Sequence, residues 1–180
     1  MAKSKEVILG VTASIAIYKA CDILRRLKEL GFCVRVVMTQ EAEELISPVV
    51  FQSLSGNKAY RGSLFAEADT WGIEHVALAD KADLVLVAPA TANIIAKIAS
   101  GICDDLLSCV ICATDAPVLI APAMNDRMYK NRITQGNIRK LESLGYSFIG
   151  PKSGELACGK RGIGCLAEVE DVVRAAKRLL

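Results

Sequence analysis

Short apolar runs of strand length alternate along the chain with stretches in which apolar residues recur every three to four positions, the pattern of a parallel sheet wrapped by helices. Val7-Ile-Leu-Gly-Val11 is the first strand. Ser14 is placed to cap a helix whose residues Ala20, Ile23, Leu24, Leu27 and Leu30 share one face, and Gly31 ends it. Cys33–Met38 forms the second strand, and Ser47-Pro48 reads as an N-cap followed by a first-turn proline, opening a short helix toward Gly56. Residues 57 to 74 carry weak periodicity. Asp83–Ala88 is a continuously apolar strand, as expected where both sheet faces are covered, and Pro89 is expected to close it.

Helices are predicted near 92–99 and 104–114, a strand at Pro117–Ala121, a helix over about 131–144 that ends at Gly145, and a last short strand at Ser147–Ile149. Glu168–Leu180 reads as a closing amphipathic helix. Between them, residues 150–167 hold five of the thirteen glycines and few long apolar groups, so this segment is read as a loop or flap. No internal repeat or linker interrupts the alternation. The expectation is one α/β domain over residues 1–180, Rossmann-like (flavodoxin-like), with a parallel sheet, helices on both faces and ligands beyond the carboxyl ends of the strands.

Composition narrows the classes of function. With 180 residues, 52% of them hydrophobic, the chain is long enough to bury a core of its own. A formal net charge of +2 with scattered Lys and Arg argues against nucleic acid as a partner. Met1–Glu6 leads into an apolar stretch that breaks at Gly10, too short for a signal-peptide core or a membrane span; no membrane partner and a cytoplasmic location are expected. Of the seven cysteines, Cys21, Cys33, Cys103, Cys109 and Cys112 fall within apolar patterns and are read as packing residues. The Cys109/Cys112 pair is a CxxC inside a helical run with no second ligand pair, so no metal site is expected there.

The candidate chemistry gathers at four strand ends: Gly10-Val-Thr-Ala-Ser14, Met38-Thr-Gln40, Ala88-Pro-Ala-Thr-Ala-Asn93 and Ala121-Pro-Ala-Met-Asn125. Gly10 permits close backbone approach, and Thr12 and Ser14 offer hydroxyls beside the free N–H groups of a helix start, which together favour a phosphate. The full GxGxxG pattern of dinucleotide binders is missing, which points to a mononucleotide; a plain Ser-capped turn explains the same residues. Thr91 and Asn93 offer hydrogen bonds among small residues, and Asn125 fits a helix N-cap equally well. His75 is the only histidine, and a lone histidine is more often structural than catalytic. Cys158 lies between Ala157 and Gly159 in the glycine-rich segment, where a thiol is poorly placed for packing and better placed for chemistry. Cys165, Arg127 and Lys130 receive no assigned role.

Taken together, Gly10-Val-Thr-Ala-Ser-Ile-Ala16 with Tyr18-Lys19, His75, Pro89-Ala-Thr-Ala-Asn93, Pro122-Ala-Met-Asn-Asp-Arg-Met128 and Ala157-Cys158-Gly159 resemble the homo-oligomeric flavin-containing cysteine decarboxylases, in the family's order and from Val7 to about Leu166. The resemblance implies FMN as cofactor, bound near a subunit interface of a homo-trimer or homo-dodecamer. It implies flavin contacts from Gly10, Thr12, Ser14, Thr39, Thr91, Ala92, Asn93 and Ala121. Ala13 stands where the family frequently has Gly, and Ile94 where it often has Thr. Substrate contacts are implied for Ala123, Met124 and Asn125, the last at the cysteine carboxylate, and catalytic roles for His75 and Cys158. The implied reaction is decarboxylation of the small molecule 4'-phosphopantothenoylcysteine to 4'-phosphopantetheine, on the route to coenzyme A. Direct loss of carbon dioxide would leave an unstabilised carbanion, so prior oxidation of the thiol-bearing carbon is needed, with a flavin as electron sink. His75 would assist that oxidation, Asn125 would orient the carboxylate, and Cys158 would donate a proton as the ene-thiol is reduced.

Three other readings carry the same fold. A peptidyl-cysteine decarboxylase stops at the ene-thiol, and Cys158 in its Ala-Cys-Gly setting argues against it. A flavin prenyltransferase is disfavoured by His75 and the Pro-Ala-Met-Asn125 run. A non-catalytic flavoprotein regulator usually carries acidic tails, which this sequence lacks.

Overall fold

The apolar runs pair side by side, and the alternation along each strand divides the molecule into two cores. The computed structural model describes residues 4–63 and 74–180. In chain order the elements are β1 (Glu6–Val11), a 3-10 turn (Ile15–Ile17), α1 (Tyr18–Glu29), β2 (Cys33–Met38), α2 (Gln40–Glu43), α3 (Pro48–Ser55), β3 (Ala59–Tyr60), α4 (Glu74–Lys81), β4 (Leu84–Ala90), α5 (Ala92–Ser100), α6 (Leu106–Ala113), β5 (Val118–Pro122), α7 (Asp126–Lys130), α8 (Arg132–Ser143), β6 (Ser147–Phe148), β7 (Lys152–Glu155), β8 (Arg161–Cys165) and α9 (Val169–Leu179).

Six strands form one sheet in the order β3-β2-β1-β4-β5-β6, and every pairing in it is parallel. This is the Rossmann order, as expected for a doubly wound α/β domain. Val7, Leu9 and Val11 face a core closed by α1, α3 and α9 through Ile23, Leu24, Leu27, Phe51 and Val172. Ile8, Val85, Val87 and Ile120 face the opposite core, closed by α4, α5, α6 and α8 through Leu78, Ile95, Leu107, Val110 and Leu141. Because both faces are covered, the central strands are buried at every position, which is why they read as unbroken apolar runs.

Three expectations change. β4 does not stop at Pro89 but continues to Ala90. Proline has no N–H for the ladder, and the pairing to β5 accommodates this with a register shift between Val87 and Ala90. Residues 150–167, read as a loop or flap, contain two strands: β7 and β8 form an antiparallel hairpin, concealed in the sequence because glycine is depleted from strands and leaves no apolar alternation. Cys103 and Cys112 are exposed rather than packed, since the buried run of α6 covers Leu106–Ile111 and both cysteines fall beyond its ends. Loss of hydration, then a hydrogen bond with Cys112, pushes the Cys103 thiol up to about 11, and burial raises that of Cys109. These thiols stay protonated at neutral pH and are poor nucleophiles.

Of the weakly periodic stretch at 57–74, the described part contains β3, and residues 64–73 lie outside the described residues. Among the described residues, no helix is long and apolar enough to cross a membrane.

Candidate active site

The strand order reverses between β1 and β4, and their diverging carboxyl ends open a crevice. One residue ties the two ends together. The Thr12 hydroxyl, 1% exposed, donates to the Pro89 carbonyl at 2.7 Å and accepts from the Thr91 N–H at 3.1 Å. Its single proton is therefore committed to the framework. Ser14, Thr39 and Thr91 each cap the element that follows their strand, their hydroxyls accepting from the N–H groups of Ala16, Ala42 and Ile94. Thr39 also donates its own N–H to the Val11 carbonyl at 3.0 Å, which holds the end of β2 against β1. Gly10 lies within β1, and the space where a Cβ would stand is occupied by Leu107, whose Cδ1 would be only 2.6 Å away. The close approach that Gly10 permits is thus made by a core side chain.

The facing wall is the run that leaves β5. Asn125 caps α7, its Oδ1 accepting from the Arg127 N–H at 2.9 Å, and its Nδ2 donates to Cys158 Sγ at 3.8 Å. The N-cap expected of Asn125 is present, and it orients the amide that reaches the thiol. The hairpin is fastened to this wall by Gly164. Its carbonyl accepts from the Met124 N–H at 2.9 Å, its φ is +151°, and a Cβ there would lie 2.1 Å from the Met124 carbonyl oxygen. Cys158 sits on the exposed turn between the two hairpin strands, a turn closed by bonds from the Leu156 N–H to the Lys160 carbonyl and from the Gly159 N–H to the Leu156 carbonyl, each 2.8 Å.

These walls enclose a cleft of about 740 Å³, within the range of about 300–1,000 Å³ usual for small-molecule sites. Of the residues singled out in the sequence, Ser14, Thr91, Ala123, Met124, Asn125 and Cys158 line it together. Gly10, Thr12, Thr39, Ala92, Asn93 and Ala121 are not in the lining; they stand behind it or beside it, with Ala121 fully buried in β5 and Asn93 exposed on the first turn of α5. His75 is half-buried in the first turn of α4 and also lies outside the lining.

Sequence reasoning gave no role to Ile15, Met128, Leu156 or Cys165, which also line the cleft. The two wall segments bring hydroxyls and an amide, the hairpin brings a thiol, and Ile15, Met124 and Leu156 supply apolar surface. That donor set suits a flat aromatic heterocycle with a polar tail. Ile15 (66% exposed), Tyr18 (60%) and Met128 (49%) leave apolar surface bare at the rim.

Comparison with known proteins agrees with this geometry. A family model described as "Flavoprotein" matches residues 1–180. The chain is 45% identical over 178 residues to "Coenzyme A biosynthesis bifunctional protein CoaBC" of Bacillus subtilis (strain 168), covering 99% of this chain and 44% of that one. It is 43% identical over 179 residues to "Probable phosphopantothenoylcysteine decarboxylase" of Streptococcus mutans, covering 98% and 99%. The chain thus spans less than half the length of the bifunctional relatives and nearly all of the shorter one. Among solved structures it superposes on a PPC decarboxylase mutant complexed with pantothenoylaminoethenethiol with a TM-score of 0.87, at 29% identity and 98% coverage of both chains. The FMN binding protein AtHal3 gives a TM-score of 0.84 at 30% identity, covering 98% of this chain and 96% of that one.

Proposed function

The chain belongs to the Flavoprotein family, and on that footing we propose that it binds FMN and decarboxylates 4'-phosphopantothenoylcysteine to 4'-phosphopantetheine, a step of coenzyme A biosynthesis in the cytoplasm. One observation carries the reading: the Asn125 amide and the Cys158 thiol meet at 3.8 Å over a flavin-sized cleft. An amide that recognises a carboxylate then stands beside a thiol able to deliver a proton where that carboxylate has left.

Ser14, Thr91 and the turns that follow β1, β2 and β4 would hold FMN, which would supply a reversible two-electron acceptor. The chain's own residues do the rest. Asn125, braced by its cap bond to Arg127, orients the cysteine carboxylate. Once the thiol-bearing carbon is oxidised, the carboxylate is beta to an electron-poor centre, and the C–C bond electrons pass to sulfur as carbon dioxide departs. The ene-thiol then regains two electrons and two protons, one of the protons coming from Cys158, so substrate and product differ only by carbon dioxide. The hairpin that carries Cys158 covers the substrate and keeps water from the intermediate.

His75 reaches the reaction from a neighbouring copy in this reading. It lies outside the cleft of its own chain, and the bare apolar rim at Ile15, Tyr18 and Met128 is accounted for by a homo-trimer or homo-dodecamer whose flavin sites lie between copies. The peptidyl-cysteine alternative, which ends at the ene-thiol, gives the Cys158 thiol no task.

The test is product analysis. Wild-type protein, yellow when loaded with FMN, is expected to release carbon dioxide from 4'-phosphopantothenoylcysteine and to form 4'-phosphopantetheine. Cys158→Ser is expected to release carbon dioxide but accumulate the unsaturated ene-thiol. Full conversion by the variant overturns the proton-donor role; colour without carbon dioxide release from the wild type overturns the decarboxylase reading in favour of a binding protein.

A further inference from the structure

Among the described residues, Lys19 is the only lysine or arginine in the lining of the cleft. It is half-buried in the first turn of α1, beside the turn that Ser14 caps. Among the described residues, its ammonium has no hydrogen-bond or ion-pair partner. Lys152 is held by Glu168, and Lys130 pairs with Asp126 at 3.6 Å. Lys19 feels the same Glu168 carboxylate only at longer range, and that carboxylate is already engaged by Lys152. The other charged side chain in the lining, Glu155, is exposed on the hairpin, opposite in register to Arg161.

A half-buried lysine in the lining of a ligand cleft, its ammonium engaged by no side chain among the described residues, offers a cation to an anionic ligand. Both molecules that the proposed function assigns to this cleft end in a phosphomonoester, and lysine binds such a group as a compact point charge. We propose that Lys19 is the phosphate-recognising cation of the cleft, the residue by which it distinguishes a phosphorylated ligand from the same molecule ending in a hydroxyl. This inference rests on the proposed function for the identity of the ligands, while the cation in the cleft, without a partner among the described residues, is a property of the structure.

Two phosphates are candidates, the substrate's and the flavin's, and one set of variants separates them. Holoprotein affinities for 4'-phosphopantetheine and pantetheine are measured by calorimetry, and those for FMN and riboflavin by flavin fluorescence, in wild type, Lys19→Gln and Lys19→Arg. Loss of one charged hydrogen bond predicts a weakening of about 10- to 100-fold for the phosphorylated member of one pair, with the unphosphorylated member unchanged. Lys19→Arg restores most of it. A selective loss in the pantetheine pair assigns the cation to the substrate, and KM then rises while kcat holds. A selective loss in the flavin pair assigns it to the cofactor. Equal weakening of both members of a pair, or no change in either pair, overturns the proposal. A wild type that releases no carbon dioxide sinks the proposed function alone, because the two affinity ratios are read without turnover.

Discussion

Replacing Thr12 by Val isolates the tie between the ends of β1 and β4. The change keeps the branched shape and removes the hydroxyl that donates to the Pro89 carbonyl at 2.7 Å and accepts from the Thr91 N–H at 3.1 Å. At 1% exposure no water replaces it. Two main-chain groups lose their partner, and leaving a buried donor or acceptor unsatisfied costs about 1–3 kcal/mol each, so Thr12→Val is expected to destabilise by about 2–6 kcal/mol. That is a large part of the roughly 5–15 kcal/mol that holds a domain folded. The assay is urea unfolding followed by far-UV circular dichroism, at fixed protein concentration and saturating flavin, since ligand and subunit binding both shift the transition. With a slope of about 2 kcal/mol per molar urea, the midpoint falls by about 1–3 M. Thr12→Ser retains the hydroxyl and is expected to stay within about 1 kcal/mol of wild type, the loss of one buried methyl. A Thr12→Val midpoint indistinguishable from wild type, or a Ser variant as weak as the Val variant, refutes the reasoning.

Two further outcomes are expected. Gly10→Ala places a methyl 2.6 Å from Leu107 Cδ1 in a fully buried core and should cost about 1–3 kcal/mol by overpacking; combined with Leu107→Ala it should cost less than the sum of the two single changes, and strict additivity in the double-mutant cycle contradicts the contact. The Glu168 carboxyl is held below its ordinary range by the hydrogen bond from Lys152, so the tie between the hairpin and α9 is complete above the ordinary carboxylate pKa and is lost as pH falls through the lowered folded-state value. An NMR titration should find Glu168 titrating below an unperturbed glutamate in wild type and returning toward it in Lys152→Met; identical midpoints speak against the bond in solution.

The resemblance carried by Pro122-Ala-Met-Asn125 and Ala157-Cys158-Gly159 led directly to two of the groups that meet in the cleft, because each motif lies in one short stretch of chain. The flavin contacts it implied are more scattered: Ser14 and Thr91 line the cleft, while Thr12, Thr39 and Gly10 are held in the framework behind it by partners remote in sequence. Lys19 was in view as part of a motif, but nothing local indicates that its ammonium lacks a partner among the described residues. That is a statement about everything around it.

What the sequence determined alone is whatever depends on neighbours within a turn or two: strand runs buried on both faces, the Ser47-Pro48 start of α3, and the Thr and Ser caps at the strand ends. Tertiary structure decided that Thr12 binds Pro89, that β4 passes through its proline, that a glycine-rich stretch becomes a hairpin fastened to Met124, and that His75 lies outside the lining of the cleft. Each of these depends on which strands lie side by side. Periodicity along a chain records which face of a strand is buried but not which strand is beside it, so partners some 77 residues apart become visible only once the sheet order is known.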